Sequence, residues 1–450
     1  MRQAIDALTA GLGTLQYAEM PGAVRERLPI TLTDLLGVAV VGMRTPELRS
    51  LLASWPTAPG PHRIPGTDVH TTAGQAALLV ATAACSQELD EGNKYAAGHP
   101  AAHVVFAAIA AAQESVEPVT GDRFLAAVAA GYEVAARFGR SVHRHPAWHT
   151  HGHWGVTGAA CAASLVLGAS PEQVAAAIDA SCGLMTVAPW DTVLAGDFTR
   201  NLWMGQANLG GLAAAHLALA GLVTNRGGAA ASLALVGDID IASLTADLGD
   251  RWLVTEGYLK QHSACSYTHA AVDIVRSLRA ASRWSPDDVV AVHVGTHSLA
   301  RPLLQRDPDS RLAAMFSLPF VVSTAVVSGE VTPALMEPGT PAFERAQAFS
   351  SRVHVEVVDE LDAWLPDRRV TEVRIELDDG AALALSQPNP IGDNAHFPLS
   401  EEDVVAKIDG LLAASGGASA SAGELLGAVR GLADAEDVVA ALAELPLVRG

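Results

Sequence analysis

Lysine is almost missing from this chain: against 26 arginines there are three lysines, Lys94, Lys260 and Lys407. Where an arginine-rich sequence keeps a lysine, a compact ammonium with an adjustable pKa is a candidate reason. Cysteine is scarce too. Cys85, Cys161, Cys182 and Cys265 stand far apart with no C-x-x-C pair, which argues against zinc ribbons, redox motifs and iron–sulfur ligation by a local cluster. Positive charge is in deficit, with 29 Lys+Arg against 49 Asp+Glu and a net charge of -20. That field repels phosphate backbones and anionic lipid, so neither nucleic acid nor a membrane is an expected partner. An anionic ligand would need a local cluster of cations. No apolar run approaches the ~20 residues of a bilayer span; the stretch 211–224 is short and His216 interrupts it. Asp6 falls inside what would have to be the apolar core of a signal peptide, so a cytoplasmic protein is expected.

Aromatics are only 5% and charged residues 17%, whereas hydrophobic residues reach 50%, so alanine and small aliphatics carry the apolar excess. That composition suits buried helices, and the length of 450 residues suits two or three domains. To about residue 255 the periodicity is helical; Phe124, Val128, Tyr132, Ala135 and Phe138 fall on one face. Ser170-Pro171-Glu172-Gln173 combines a capping serine, a proline at the first helical position and a glutamine three residues after the cap, which predicts a helix from Pro171.

Beyond residue 285 the period becomes two. Val290, Val292 and Val294, then Val353, Val355 and Val357, then Val373, Ile375 and Leu377 predict half-buried strands. Asp379-Gly380 marks a hairpin turn, so the natural reading is an antiparallel sheet. Ser400 to Asp403 reads as a cap with an acidic first turn. Residues 415–422 read as flexible, before a last helical run from Glu424 to about Leu445 that Pro446 would stop. The expected fold is mainly α: an all-helical domain of residues 1–260, completed by 400–450, and a smaller α+β domain of residues 265–395.

Seven of the sixteen histidines lie between His99 and His153, five of them in SVHRHPAWHTHGHWG. If that run is extended, His149, His151 and His153 share one side and could bind a metal, but no nearby Asp, Glu or Cys completes the shell. The bland alternative is an exposed histidine-rich loop, and a loop with one functional histidine is the favoured reading. Lys94 and Lys260 both stand among histidines and polar residues.

The strings ELDEGNKYAAGHP, AGYEVAARFG, WHTHGHWGVTGAACAASLVLG, LKQHSACSYTHAAVDIV and FSLPFVVSTAVVSGEV resemble, in order, the successive motifs of the MmgE/PrpD family. Its members include 2-methylcitrate dehydratase, cis-aconitate decarboxylase and iminodisuccinate epimerase, which act on small polycarboxylates without a redox cofactor. The resemblance implies a large helical domain and a smaller α+β domain with the site between them, commonly in a homodimer. It makes Asp90, His99, His149, Lys260 and His269 the expected catalytic residues. Arg200 falls where a lysine is frequent in the family, and with Lys94 it is an expected substrate-binding residue. No metal or other cofactor is implied.

Such a set suits proton abstraction next to a carboxylate, where cations stabilise the enediolate and a histidine exchanges the proton near neutral pH. Some positions depart from the family's pattern. Glu91 replaces a second aspartate, Lys94 stands where a hydroxyl residue is usual, Cys85 stands where a histidine is common, and no tyrosine follows Tyr267. These departures weigh against cis-aconitate decarboxylation and leave an acid–base site standing. The expected function is a lyase of dehydratase type on a small carboxylic acid. The alternatives are a dicarboxylate epimerase, a homologue that binds without catalysis, and a metal-dependent hydrolase built on the histidine run.

Overall fold

Alanine-rich helices make the body of the protein. In the computed structural model, which describes residues 1–416 and 421–446, helices Gly22–Met43, Ala73–Ala84, Pro100–Glu114, Gly121–Ser141, Pro171–Ser181 and Thr199–Leu219 surround a large core. At its centre is the helix Val156–Val166, buried at every position but Leu165. Small side chains let the helix axes approach. A Cβ on Gly131 would lie 2.7 Å from the Gly158 carbonyl oxygen, and one on Gly158 would lie 2.3 Å from that of Gly131, so this crossing requires glycine on both helices. The helix from Pro171 starts as its sequence predicts, with the Ser170 and Gln173 side chains each accepting the other's backbone N–H. Phe124, Val128, Tyr132, Ala135 and Phe138 all face the core.

A second core lies around a four-stranded sheet, ordered Ala382–Gln387, Thr371–Leu377, Val289–Thr296, Val353–Val357. The sheet is mixed rather than antiparallel throughout. Val289–Thr296 and Val353–Val357 run parallel, because the chain between them crosses over through helices Leu318–Ser328 and Pro341–Phe349 instead of turning back in a hairpin. Asp379-Gly380 does make the turn into the edge strand, with Gly380 at φ +86°. Val292, Val294, Val353, Val373 and Ile375 are buried. Val290 departs from the expected pattern: an irregularity in the ladder between Val289 and Ala291 turns it out, leaving it 54% exposed.

Trp190, Val193 and Trp203 join this second core although they precede it by far in sequence. The helices Glu401–Ala414 and Ala422–Gly431 return to pack on Gly22–Met43. The single run expected from Glu424 to about Leu445 is broken. One helix ends at Gly431, and Asp437 starts another, Val438–Ala443, by accepting the N–H groups of Val439 and Ala440. Residues 417–420 of the stretch read as flexible lie outside the described residues. Among the described residues no single helix is long and apolar enough to cross a membrane.

Candidate active site

A two-residue antiparallel ladder joins two distant motifs, with Gly92 opposite Tyr258 and Asn93 opposite Gly257. Continuing that register sets Asp90 across from Lys260. The Lys260 ammonium lies 3.5 Å from Asp90 Oδ1 and 3.0 Å from Glu88 Oε2. Glu88 holds φ +53°, a left-handed conformation uncommon for a residue with a side chain, and its carboxylate also pairs with the Arg200 guanidinium. Arg200, in the first turn of Thr199–Leu219, donates further to the carbonyl of Cys85 at 3.1 Å and to His151 Nε2 at 3.0 Å.

Backbone contacts fix the histidine tautomers, because a carbonyl only accepts and an N–H only donates. His99 caps the helix Pro100–Glu114, and its Nδ1 lies 2.6 Å from the carbonyl of Glu91, so Nδ1 carries the proton and Nε2 keeps a free lone pair. Asp90 Oδ2 is 3.1 Å from that same Nδ1. His149 is the reverse: its Nδ1 accepts the His151 N–H at 3.1 Å, so the neutral ring carries its proton on Nε2. The His151 ring stands between them, with centroids 4.9 Å from His99 and 4.6 Å from His149.

Burial lowers the pKa of all three rings. Asp90 partly offsets this at His99, whereas Arg200 adds to it at His149 and His151. Burial also works to discharge Lys260 and to neutralise Asp90. It is outweighed at Lys260 by Glu88 and Asp90, and at Asp90 by His99, Lys260 and Arg200, so the ammonium and the carboxylate both stay charged. Glu91 is pushed by burial up to about 8 and is neutral at pH 7.

His99, His149, Glu88, Arg200, Lys260 and Arg144 line a narrow, partly open chamber of ≈ 30 Å³, its wall completed by the rings of Trp190, Tyr258, Tyr267 and Phe316. That volume holds little more than a water molecule. Its walls come from both bodies of the protein, so admitting a substrate requires them to part. A larger cavity of ≈ 1010 Å³ touches Gln87, Gln261 and His262, the neighbours of Glu88 and Lys260, but none of the acid–base groups.

Of the expected site residues, the structure brings together Asp90, His99, His149, Arg200 and Lys260 and leaves two outside. Lys94 is not at the chamber. Its ammonium is buried in an ion pair with Asp393 at 3.1 Å and donates to the carbonyl of Asp367, so it ties the helical body to the end of the smaller domain. His269 is not at the chamber either. It sits inside Ser266–Ala281 with Nε2 bonded to the carbonyl of Ala264 at 3.0 Å.

The histidine run is exposed only in its first half, at His143 and His145, and is buried at His149, His151 and His153. Those three do not converge as a metal shell. The set that does gather, Asp90, His99 and His151, has ligand atoms within 4.8 Å of one another. It fits a cation poorly, because Arg200 already occupies His151 Nε2 and Lys260 adds a second positive charge beside Asp90. Sequence reasoning passed over Glu88, Arg144, Tyr258 and Tyr267, and weighed His151 only as a metal ligand. Only Glu88 carried a local signal, standing two residues before Asp90 and so on the same side of an extended segment.

No curated protein matches this chain. Family models do: the MmgE/PrpD N-terminal domain matches residues 7–230, and the MmgE/PrpD C-terminal domain matches residues 262–426. Membership supports a dehydratase- or lyase-like enzyme. With both halves matched around a chamber built from both, the chain belongs to the MmgE/PrpD family.

Proposed function

We propose that this protein is a cofactor-independent acid–base enzyme acting on the carbon α to the carboxylate of a small carboxylic acid, as a lyase of dehydratase type. The observation that carries this reading is the pair of opposite tautomers, His99 with a free lone pair on Nε2 and His149 with a proton on Nε2, at one chamber with Lys260 and Arg200. His99 takes the α-proton, and Asp90 balances the imidazolium that forms, as a carboxylate does beside a catalytic histidine. The C–H electron pair moves toward the carboxylate, where the two fixed cations meet the growing charge. His149 gives its proton to the departing hydroxyl, so that a C–O bond breaks, an alkene forms and water leaves. Exchange with solvent resets both rings when the chamber opens.

The test uses a panel of 3-hydroxy acids in deuterated water. Elimination yields an alkene absorbance. Epimerisation by the same two rings would instead yield a product changed only by one deuterium. His99→Gln should abolish α-exchange and turnover together, while His149→Gln should retain α-exchange and lose elimination, each by about 10²–10⁴-fold in turnover. Exhaustive chelation should leave activity intact. Full turnover in both variants on a verified substrate would refute the assignment.

A further inference from the structure

Arg144 ends a short strand, Val142–Arg144, paired with Gly237–Ile239 on the helical body, and its side chain reaches the chamber. It differs from the other two cations there. Lys260 is matched by Glu88 and Asp90, and Arg200 by Glu88. The Arg144 side chain makes no hydrogen bond or ion pair with any described residue; the residue is half-buried, and its Nε is buried without a partner. The groups whose fields it shares are His149, His153 and Tyr267, none of them an acid. A guanidinium withdrawn from water with no acceptor weakens the fold. Such a group is explained where something outside the chain completes it.

The charges at the chamber support the same view. Three cations, Arg144, Arg200 and Lys260, stand against two carboxylates, Glu88 and Asp90. His99, His149 and His151 are neutral at pH 7, as is Glu91. Arg369 is also without a carboxylate, with Nε and one terminal nitrogen buried and unpartnered, but it does not line the chamber: it lies behind the wall, 5.2 Å from each of the Tyr258 and Tyr267 rings and bonded to Ser266. Among the groups at the chamber itself one positive charge remains, and it is at Arg144.

We infer that Arg144 holds the substrate's carboxylate and that the charges lining the chamber match one carboxylate only. The inference deepens the acid–base reading above and rests on it for the carbon that reacts. A second carboxylate would be desolvated beside Glu88 and Asp90 with no second free cation on the chamber wall to receive it. The rings of Trp190, Phe316, Tyr258 and Tyr267 suit the apolar body of a monocarboxylic acid better than further charge. Arg144 belongs to the helical body and Tyr267 to the smaller domain, so a carboxylate received at this end would bridge the two.

Butyrate and succinate share a four-carbon chain and differ by one carboxylate, which makes them the probes. Each is titrated calorimetrically into the full-length protein, its Arg144→Gln variant and its Arg144→Lys variant, and thermal unfolding is recorded alongside. The expected result is saturable butyrate binding, with succinate no tighter. Arg144→Gln should weaken butyrate by about tenfold or more, the worth of one charge-assisted hydrogen bond, and Arg144→Lys should fall between. The Tm of Arg144→Gln should equal or exceed that of the wild type, because an unmatched buried charge is gone.

Succinate binding about tenfold tighter than butyrate would overturn the single-carboxylate match. Unchanged butyrate binding in Arg144→Gln, no saturable binding by the wild type, or a fall in Tm that accompanies lost binding would overturn the anchor. Binding is read without turnover. A protein that holds butyrate through Arg144 yet exchanges no α-proton would therefore refute the acid–base reading and leave this inference standing.

Discussion

Asp90 is fully buried between His99, whose Nδ1 lies 3.1 Å from Oδ2, and the Lys260 ammonium, 3.5 Å from Oδ1. That arrangement yields a signed prediction. Asp90 favours the imidazolium of His99, so removing its charge lowers the His99 pKa further below the ordinary value of 6.5. In a pH profile of kcat/KM, activity of the wild type should fall as His99 protonates on the acid side. Asp90→Asn should move that limb to lower pH while reducing the plateau. A limb that stays in place or moves upward would separate Asp90 from the base. The members of this pair were legible in sequence because the motif fixes both, whereas Lys94 misled for a physical reason. Scarcity of lysine signals that an ammonium is needed, not where its partner lies, and Asp393 is 299 residues away in the chain. Arg144 and Tyr267 gave no signal, since a single arginine or tyrosine has no period or spacing to detect.

Helix starts were readable to the residue at Ser170 and Ser400, where a side chain supplies the missing acceptor. Replacing Ser170 by alanine should remove one arm of its capping box and cost about 1 kcal/mol, within the ~0.5–2 kcal/mol of such caps. Urea denaturation checks this, with the C_m lowered and the m-value unchanged. An unaltered midpoint would mean that packing of Val174 and Ile178 fixes that end without the cap. Strand direction was not readable in the same way. The alternation of Val353 to Val357 says which face is buried but is the same for parallel and antiparallel neighbours, and only the crossover through Leu318–Ser328 decides it. The break after Gly431 escaped notice because the apolar spacing continues across it while Asp437 begins a new helix.

Buried ion pairs join the two bodies at their junction, Lys260 with Glu88 and Asp90 and Lys94 with Asp393. Lys94–Asp393 is one such latch, and a chamber of ≈ 30 Å³ can admit a substrate only if the junction yields. Breaking a buried pair from one side leaves a charge unpaired, at a cost of about 3–5 kcal/mol. Lys94→Met should fall at the low end of that range, because Asp393 keeps His396 at 3.1 Å and the N–H groups of Ala395 and His396. Lys94→Met combined with Asp393→Asn should regain part of the loss, since neither charge then remains uncompensated. Amide exchange locates the effect. It should quicken in residues 92–98 and 391–397 of the single variant while the helix Val156–Val166, at the centre of the other core, stays protected. Uniform quickening would make Lys94 a contributor to global stability instead, and the parting of the two bodies would then have to be governed elsewhere along the junction.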